Sequence, residues 1–190
     1  TSRVLTVELN QKYDSPVILP NIDGRGYGFF ELNPKDVQGA FACLDTTTDD
    51  MLKGSLLITL HENLQNRTLK SESFLQALIA YAKQEKNDLL YSMALGYISP
   101  AVRFLPARPD GLEHALWQLV TGGITPGRRL QAFRQYVSLA ESEQAAAQLY
   151  QIWEKRELEG KPLSERDEIN LSYQLAIRLP EKADEIVNEQ

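Results

Sequence analysis

The spacing of hydrophobic positions along this chain changes once, near residue 33. Before that point β-favouring residues come in short runs: Val4-Leu5-Thr6-Val7-Glu8-Leu9, Val17-Ile18-Leu19 and Gly26-Tyr27-Gly28-Phe29-Phe30-Glu31-Leu32. The last run follows a turn signal at Asn21-Ile22-Asp23-Gly24. This pattern predicts two or three strands within 1–32. Strands so few and short form no stable sheet alone. Either they pack on the helices that follow, or they complete a sheet whose other strands are missing, which implies a cut.

From Asn33 the period becomes helical. Asn33-Pro34 supplies an N-cap and a proline at the first helical position, opening a segment through Val37, Phe41 and Leu44. Thr47-x-x-Asp50 resembles a capping box before a helix with Leu52, Leu56, Leu60 and Leu64 at every fourth position, ended by Asn66. Phe74, Leu75, Leu78, Ile79 and Ala82 form the apolar stripe of the next helix. Lys86-Asn87-Asp88 separates it from a helix over 89–104, in which Ser99-Pro100 predicts a kink or break. After Pro106-Ala107-Arg108-Pro109-Asp110-Gly111, further helices are expected at about 112–120, 126–140, 141–158, 164–179 and 181–187. The helix carrying Ile169, Leu171, Tyr173, Leu175, Ala176, Ile177 and Leu179 is apolar nearly all round, which predicts burial between two layers.

Joints this short favour antiparallel neighbours. The expected fold is therefore mainly α: antiparallel helical hairpins in a superhelical, armadillo- or HEAT-like array over 33–190, with a division near 106–111, preceded by a short β segment over 1–32. No exact sequence repeat marks the array.

Composition narrows the function. Hydrophobic residues at 43% and charged residues at 24% are ordinary for a globular chain of 190 residues, excluding disordered and fibrous classes. A net charge of −6 argues against nucleic acid and anionic membrane as partners. No apolar run is long enough to span a bilayer, and the start Thr-Ser-Arg-Val has neither an initiating Met nor a signal-peptide profile, as expected of a mature chain or an excised piece. A soluble protein of cytoplasm or periplasm is expected. The single Cys43 rules out an internal disulfide, and with only His61 and His114 no Cys/His zinc cage can be assembled.

Individual motifs are weak. His61-Glu62-Asn63-Leu64-Gln65 has Gln65 where a zinc helix needs its second histidine, so Thr59, Glu62 and Asn63 are read as a helix's polar face. Gly24-x-Gly26-x-Gly28 lacks the dinucleotide spacing and is read as a glycine-rich hairpin turn. Asp45, Asp49 and Asp50 lack a calcium loop's central glycine and are read as capping residues. Cys43 falls on an apolar face and is read as a buried thiol. Trp117, Trp153 and the tyrosines fall at core spacings. Thr125-Pro126-Gly127-Arg128-Arg129 sets two cations beside a helix N-terminus, where a carboxylate or phosphate could be held; the alternative is pairing of Arg128 or Arg129 with a neighbouring carboxylate.

Two stretches carry a family resemblance. Leu19-Pro20-Asn21-Ile22-Asp23-Gly24-Arg25-Gly26-Tyr27-Gly28 resembles the strand-turn-strand closing the β-sandwich domain of zinc aminopeptidases of the aminopeptidase N family. Asp49-Asp50-Met51-Leu52-Lys53-Gly54, Leu60-His61-Glu62-Asn63, Phe74-Leu75 and Glu85-Lys86-Asn87 then follow in an order that resembles the first helices of that family's C-terminal superhelical domain. The resemblance covers about residues 15–100. Gly28-Phe29-Phe30 stands where many members carry Tyr-Arg-Val, and Lys53 stands where an Arg is expected. The family's zinc helix and its Gly-x-Met-Glu-Asn motif have no counterpart here.

The resemblance implies a non-catalytic fragment, the end of the β-sandwich domain plus part of a helical cap over the active-site cleft, from an enzyme that removes N-terminal residues from peptides. It implies no catalytic residue, metal ligand or cofactor in this chain, with zinc in the parent enzyme. The implied partners are the rest of the parent polypeptide, with its catalytic domain, and peptide substrates, for which Arg128 and Arg129 are candidate contacts. The alternative is an independent helical-repeat module that binds a protein partner on a concave surface.

Overall fold

The computed structural model describes residues 18–189, so the predicted strand at Val4–Leu9 lies outside the described residues. The described residues form two compact units, one ending at Leu69 and the other beginning at Lys70. The fold is mainly α: nine helices and one two-stranded hairpin among the described residues.

In the first unit, α1 (Pro34–Thr46) starts as its sequence requires: the Asn33 side chain accepts from the N–H groups of Lys35 and Asp36 ahead of a proline that has no N–H to offer. Helix α2 (Asp50–Gln65) is capped by Asp49, which accepts from Met51 and Leu52, whereas the expected cap Thr47 ends α1. The two helices pack through Val37, Ala40 and Leu44 against the buried leucines of α2, Leu56, Leu57, Leu60 and Leu64.

Residues 26–32 form no strand. Their backbone groups find partners on α2 instead of on a neighbouring strand, as described below. The preceding loop is closed by Asn21, whose side chain accepts from Gly26 N–H (2.5 Å) and donates to Gly26 C=O (3.2 Å), while its own C=O accepts from Gly24. It is an Asn-closed loop and not a hairpin. A Cβ on Gly26 would stand 2.7 Å from the Phe30 ring and 2.8 Å from Asn21 Oδ1, so a larger residue there displaces one of those side chains.

The second unit is a layered helix stack. Helices α3 (Ser71–Gln84) and α4 (Asp88–Arg103) pack together, as do α5 (Leu112–Thr121) and α6 (Pro126–Leu139), and α7 (Glu143–Lys155) and α8 (Glu165–Arg178). Helices two apart in sequence also touch: α3 with α5, α4 with α6, and α6 with α8. A 3₁₀ turn (Pro180–Lys182) and α9 (Ala183–Asn188) close on α8 through Ile186. Asn87, Thr125, Ser142 and Ser164 cap α4, α6, α7 and α8 with side-chain oxygens. Helix α4 runs through Pro100 without a break.

Two expectations are corrected here. Helix α7 does not reach Leu158: it stops at Lys155 because Arg156 turns left-handed (φ 53°). The chain then forms a hairpin of β1 (Glu157–Leu158) and β2 (Lys161–Pro162), with Glu159 and Gly160 both at positive φ, as a tight hairpin turn demands. Helix α8 is not sandwiched. Leu171 and Leu175 are fully buried, but Tyr173 and Ile177 are 60% and 74% exposed and Ile169 shares their face. Among the described residues that stripe is left exposed, most of all at Tyr173 and Ile177.

Candidate functional site

In the first unit the residues that carry chemistry converge on Asn63. Its side chain is 0% exposed although the sequence pattern puts it on a polar face. Oδ1 accepts from Leu32 N–H (2.9 Å) and Thr68 Oγ1 (2.8 Å); Nδ2 donates to Phe30 C=O (2.9 Å) and Thr59 C=O (2.8 Å). Two donors and two acceptors are thus all matched, the condition under which an amide can be buried. Ser55 adds a bond from Oγ to Asn21 C=O (3.1 Å). The irregular segment before α1 is therefore fastened to α2 by side chains substituting for a strand. Thr59 is also buried, leaving only Glu62 of the three residues expected on that face partly exposed. His61 is half-buried, and burial holds its imidazole pKa below the ordinary value. Cys43 is a free, half-buried thiol.

In the second unit the two candidate cations face different surroundings. Arg128 is 5% exposed and turned inward. Its Nε bonds Asp88 Oδ1 (2.6 Å), its two terminal nitrogens donate to the carbonyls of Glu85 and Lys86, and its guanidinium lies 4.8 Å from the Tyr91 ring centroid. It fixes the α3–α4 joint, which is the pairing alternative weighed for it above. Arg129 is half-buried with one long bond to Gly123 C=O (3.4 Å), and its buried Nε has no hydrogen-bond partner among the described residues.

A second cluster fixes the α6–α7 elbow. The last carbonyls of α6 are met by arginines from two sides: Arg108 donates to Leu139 and to the Glu141 carboxylate, and Arg178 to Ala140 (2.6 Å) and Val137 (2.9 Å). The first N–H groups beyond the elbow are met by Glu113, whose Oε1 accepts from Glu141 (2.6 Å) and Ser142 (2.9 Å), while Oε2 accepts from the Ser142 hydroxyl. Burial pushes the Glu113 carboxyl up, but these three bonds and the Arg108 charge outweigh it and hold the pKa below the ordinary carboxylate value. Nearby, Arg134 of α6 grips Asp167 of α8 with two bonds (2.6 and 3.0 Å), and Ser164 adds a third (2.6 Å).

Beside this elbow opens a cleft of about 670 Å³, walled by α5, the 108–113 segment and α7. Half-buried Trp117 faces it, tilted on Tyr136 with ring centroids 5.1 Å apart. Sequence reasoning placed Trp117 in the core by its spacing. The missed signal is its neighbourhood: His114, Asp110 and the glutamines of α7 are polar residues that a closed core would not gather.

Among the described residues no three His, Cys, Asp or Glu side chains come together as a metal-binding group. No helix among them is long and apolar enough to cross a membrane. No protein-family model, curated protein or solved structure matches the chain.

Proposed function

We propose that this chain is a non-catalytic C-terminal region of a zinc-dependent aminopeptidase, spanning the junction between a β-sandwich domain and the helical domain that caps the active-site cleft. The observation that carries the reading is the Asn63 anchor. The stretch Leu19–Gly28 and the stretch Leu60–Asn63, which bear the resemblance in sequence, belong to one compact unit tied by Ser55 to Asn21 and by Asn63 to Phe30 and Leu32. A junction of that kind is what the order of the motifs implies. The stacking of α3 on α5, α4 on α6 and α6 on α8 supports a superhelical continuation.

On this reading zinc, the water it activates and the general-base Glu belong to the catalytic domain of the parent polypeptide. This chain encloses peptide substrates, in cytoplasm or periplasm. Arg129 remains the candidate for a substrate contact, since the Arg128 guanidinium is committed to Asp88 and two carbonyls.

The test is to read the coding sequence upstream of Thr1 and assay the whole gene product on peptides of graded length. Expected are a His-Glu-x-x-His helix, chelator-sensitive release of N-terminal residues, and altered length selectivity when 33–190 is removed. A frame opening directly before Thr1 would sink the proposal. The second reading, a self-standing helical-repeat module for a protein partner, would then stand, favoured by the uncovered apolar stripe of α8.

A further inference from the structure

The cleft beside the α6–α7 elbow has the parts of a binding site that the proposed function does not use. Its floor is aromatic. Tyr136 is buried beneath Trp117 and donates its hydroxyl to Gln148 Oε1 (2.8 Å), which leaves the Gln148 amide nitrogen without a partner among the described residues. Gln144, also on the wall, makes no hydrogen bond among them, and neither does the exposed carboxylate of Asp110 at the mouth. Donors and acceptors on a half-polar wall are thus open to a ligand.

Charges around the cleft are sorted. The guanidinium groups of Arg108 and Arg178 are spent on the α6 carbonyls and, for Arg108, on Glu141. Glu113 is spent on the N–H groups of the elbow, yet its negative field reaches the aromatic floor: burial first, and Glu113 second, push the Tyr136 phenol up to about 12. His114 on the rim is bonded to Gln118 (2.8 Å). Asp110 is the charge left unbalanced. A π face beside an unpaired carboxylate selects a cation, and the space exceeds one side chain.

We propose that this cleft binds a basic side chain of a peptide, an arginine guanidinium or lysine ammonium, laid on the face of Trp117 with its charge toward Asp110, and that the amides of Gln144 and Gln148 hold the flanking peptide groups. The inference stands on the cleft's own residues and holds whether the chain belongs to a peptidase or to a binding module.

The test uses the full chain, isotope-labelled on nitrogen, with the two indole N–H resonances assigned through Trp117→Phe. Blocked Gly-Arg-Gly is titrated at low salt, where exposed charges are least screened. The same peptide with Lys, citrulline or Glu in the middle position serves as comparison. Expected is a saturable shift of the Trp117 resonance with Arg and Lys, with the buried Trp153 unmoved. Citrulline should bind about tenfold more weakly, Glu not at all, and Asp110→Asn should weaken the Arg peptide about fivefold at unchanged thermal stability. Equal binding of the citrulline peptide, indifference to both Asp110→Asn and added salt, or a motionless Trp117 resonance would each overturn the proposal. Failure of the upstream sequence to show a zinc helix would leave it untouched.

Discussion

Asn63 shows how much a single side chain can decide. Read by period, it follows the leucines of α2 onto the solvent face; in the structure it is buried and makes four hydrogen bonds, two of them to backbone more than thirty residues away. Periodicity cannot reveal this, because what buries Asn63 is the irregular segment 30–32, and a coil has no pattern to read. Truncation to Ala leaves the Leu32 N–H and Phe30 C=O without partners, each worth about 1–3 kcal/mol when buried. Chemical denaturation of Asn63→Ala should show a loss of about 3 kcal/mol. Asn63→Asp should be comparably damaging, since a carboxylate cannot donate to Phe30 or Thr59; an Asp variant as stable as the parent would contradict the bonding described. Gly123 makes a smaller case. A Cβ there would stand 2.9 Å from backbone atoms of Arg129, so Gly123→Ala should destabilise the start of α6, measurable as a lowered melting temperature.

At the scale of elements, the α3–α4 joint and the α6–α7 elbow carry much of the polar chemistry, each locked by residues from far along the chain. Arg128 is one. Asp88 exposes 75% of its side chain while Arg128 is buried, so the two partners are unequal. Removing the cation uncovers the carbonyls of Glu85 and Lys86 and the Tyr91 face, whereas removing the carboxylate costs only an exposed pairing. Arg128→Met should therefore cost about 3 kcal/mol and Asp88→Asn less than about 1 kcal/mol, read from urea midpoints; equal losses would show that the ion pair, not the carbonyl bonds, holds the joint. Glu113 and Asp167 are the acid-sensitive locks. Both have folded pKa values below the ordinary 4.5 and 3.8: in Glu113 its accepted bonds overcome burial, and in Asp167 the Arg134 bonds lead. A depressed carboxyl stabilises the fold fully above its unfolded pKa and loses that contribution as pH falls through the folded one. Melting temperature should be flat from neutrality to about pH 5 and fall below it, and Glu113→Gln should flatten part of that decline.

Across the whole chain, the helices were legible because caps and apolar stripes are local signals: Asn33-Pro34, Asn87, Thr125, Ser142 and Ser164 all open helices where the sequence puts a start. What was not legible is what lies against each face. The predicted strand at 26–32 has a strand's composition but no strand beside it among the described residues, and α8 has an inner helix's composition with one face uncovered. Composition records which surfaces are apolar, while burial depends on a neighbour the helix itself does not encode. That distinction can be measured on α8. Leu175 and Ile177 are two residues apart and equally apolar, yet one is fully buried and the other 74% exposed. Leu175→Ala should cost about 2–5 kcal/mol, as cavity-forming core truncations do, and Ile177→Ala less than about 0.5 kcal/mol, because its side chain is mostly exposed. A cost for Ile177→Ala in the core range would mean that the stripe of Ile169, Tyr173 and Ile177 is covered in solution, and a rise of that cost with protein concentration would identify a second copy as the cover.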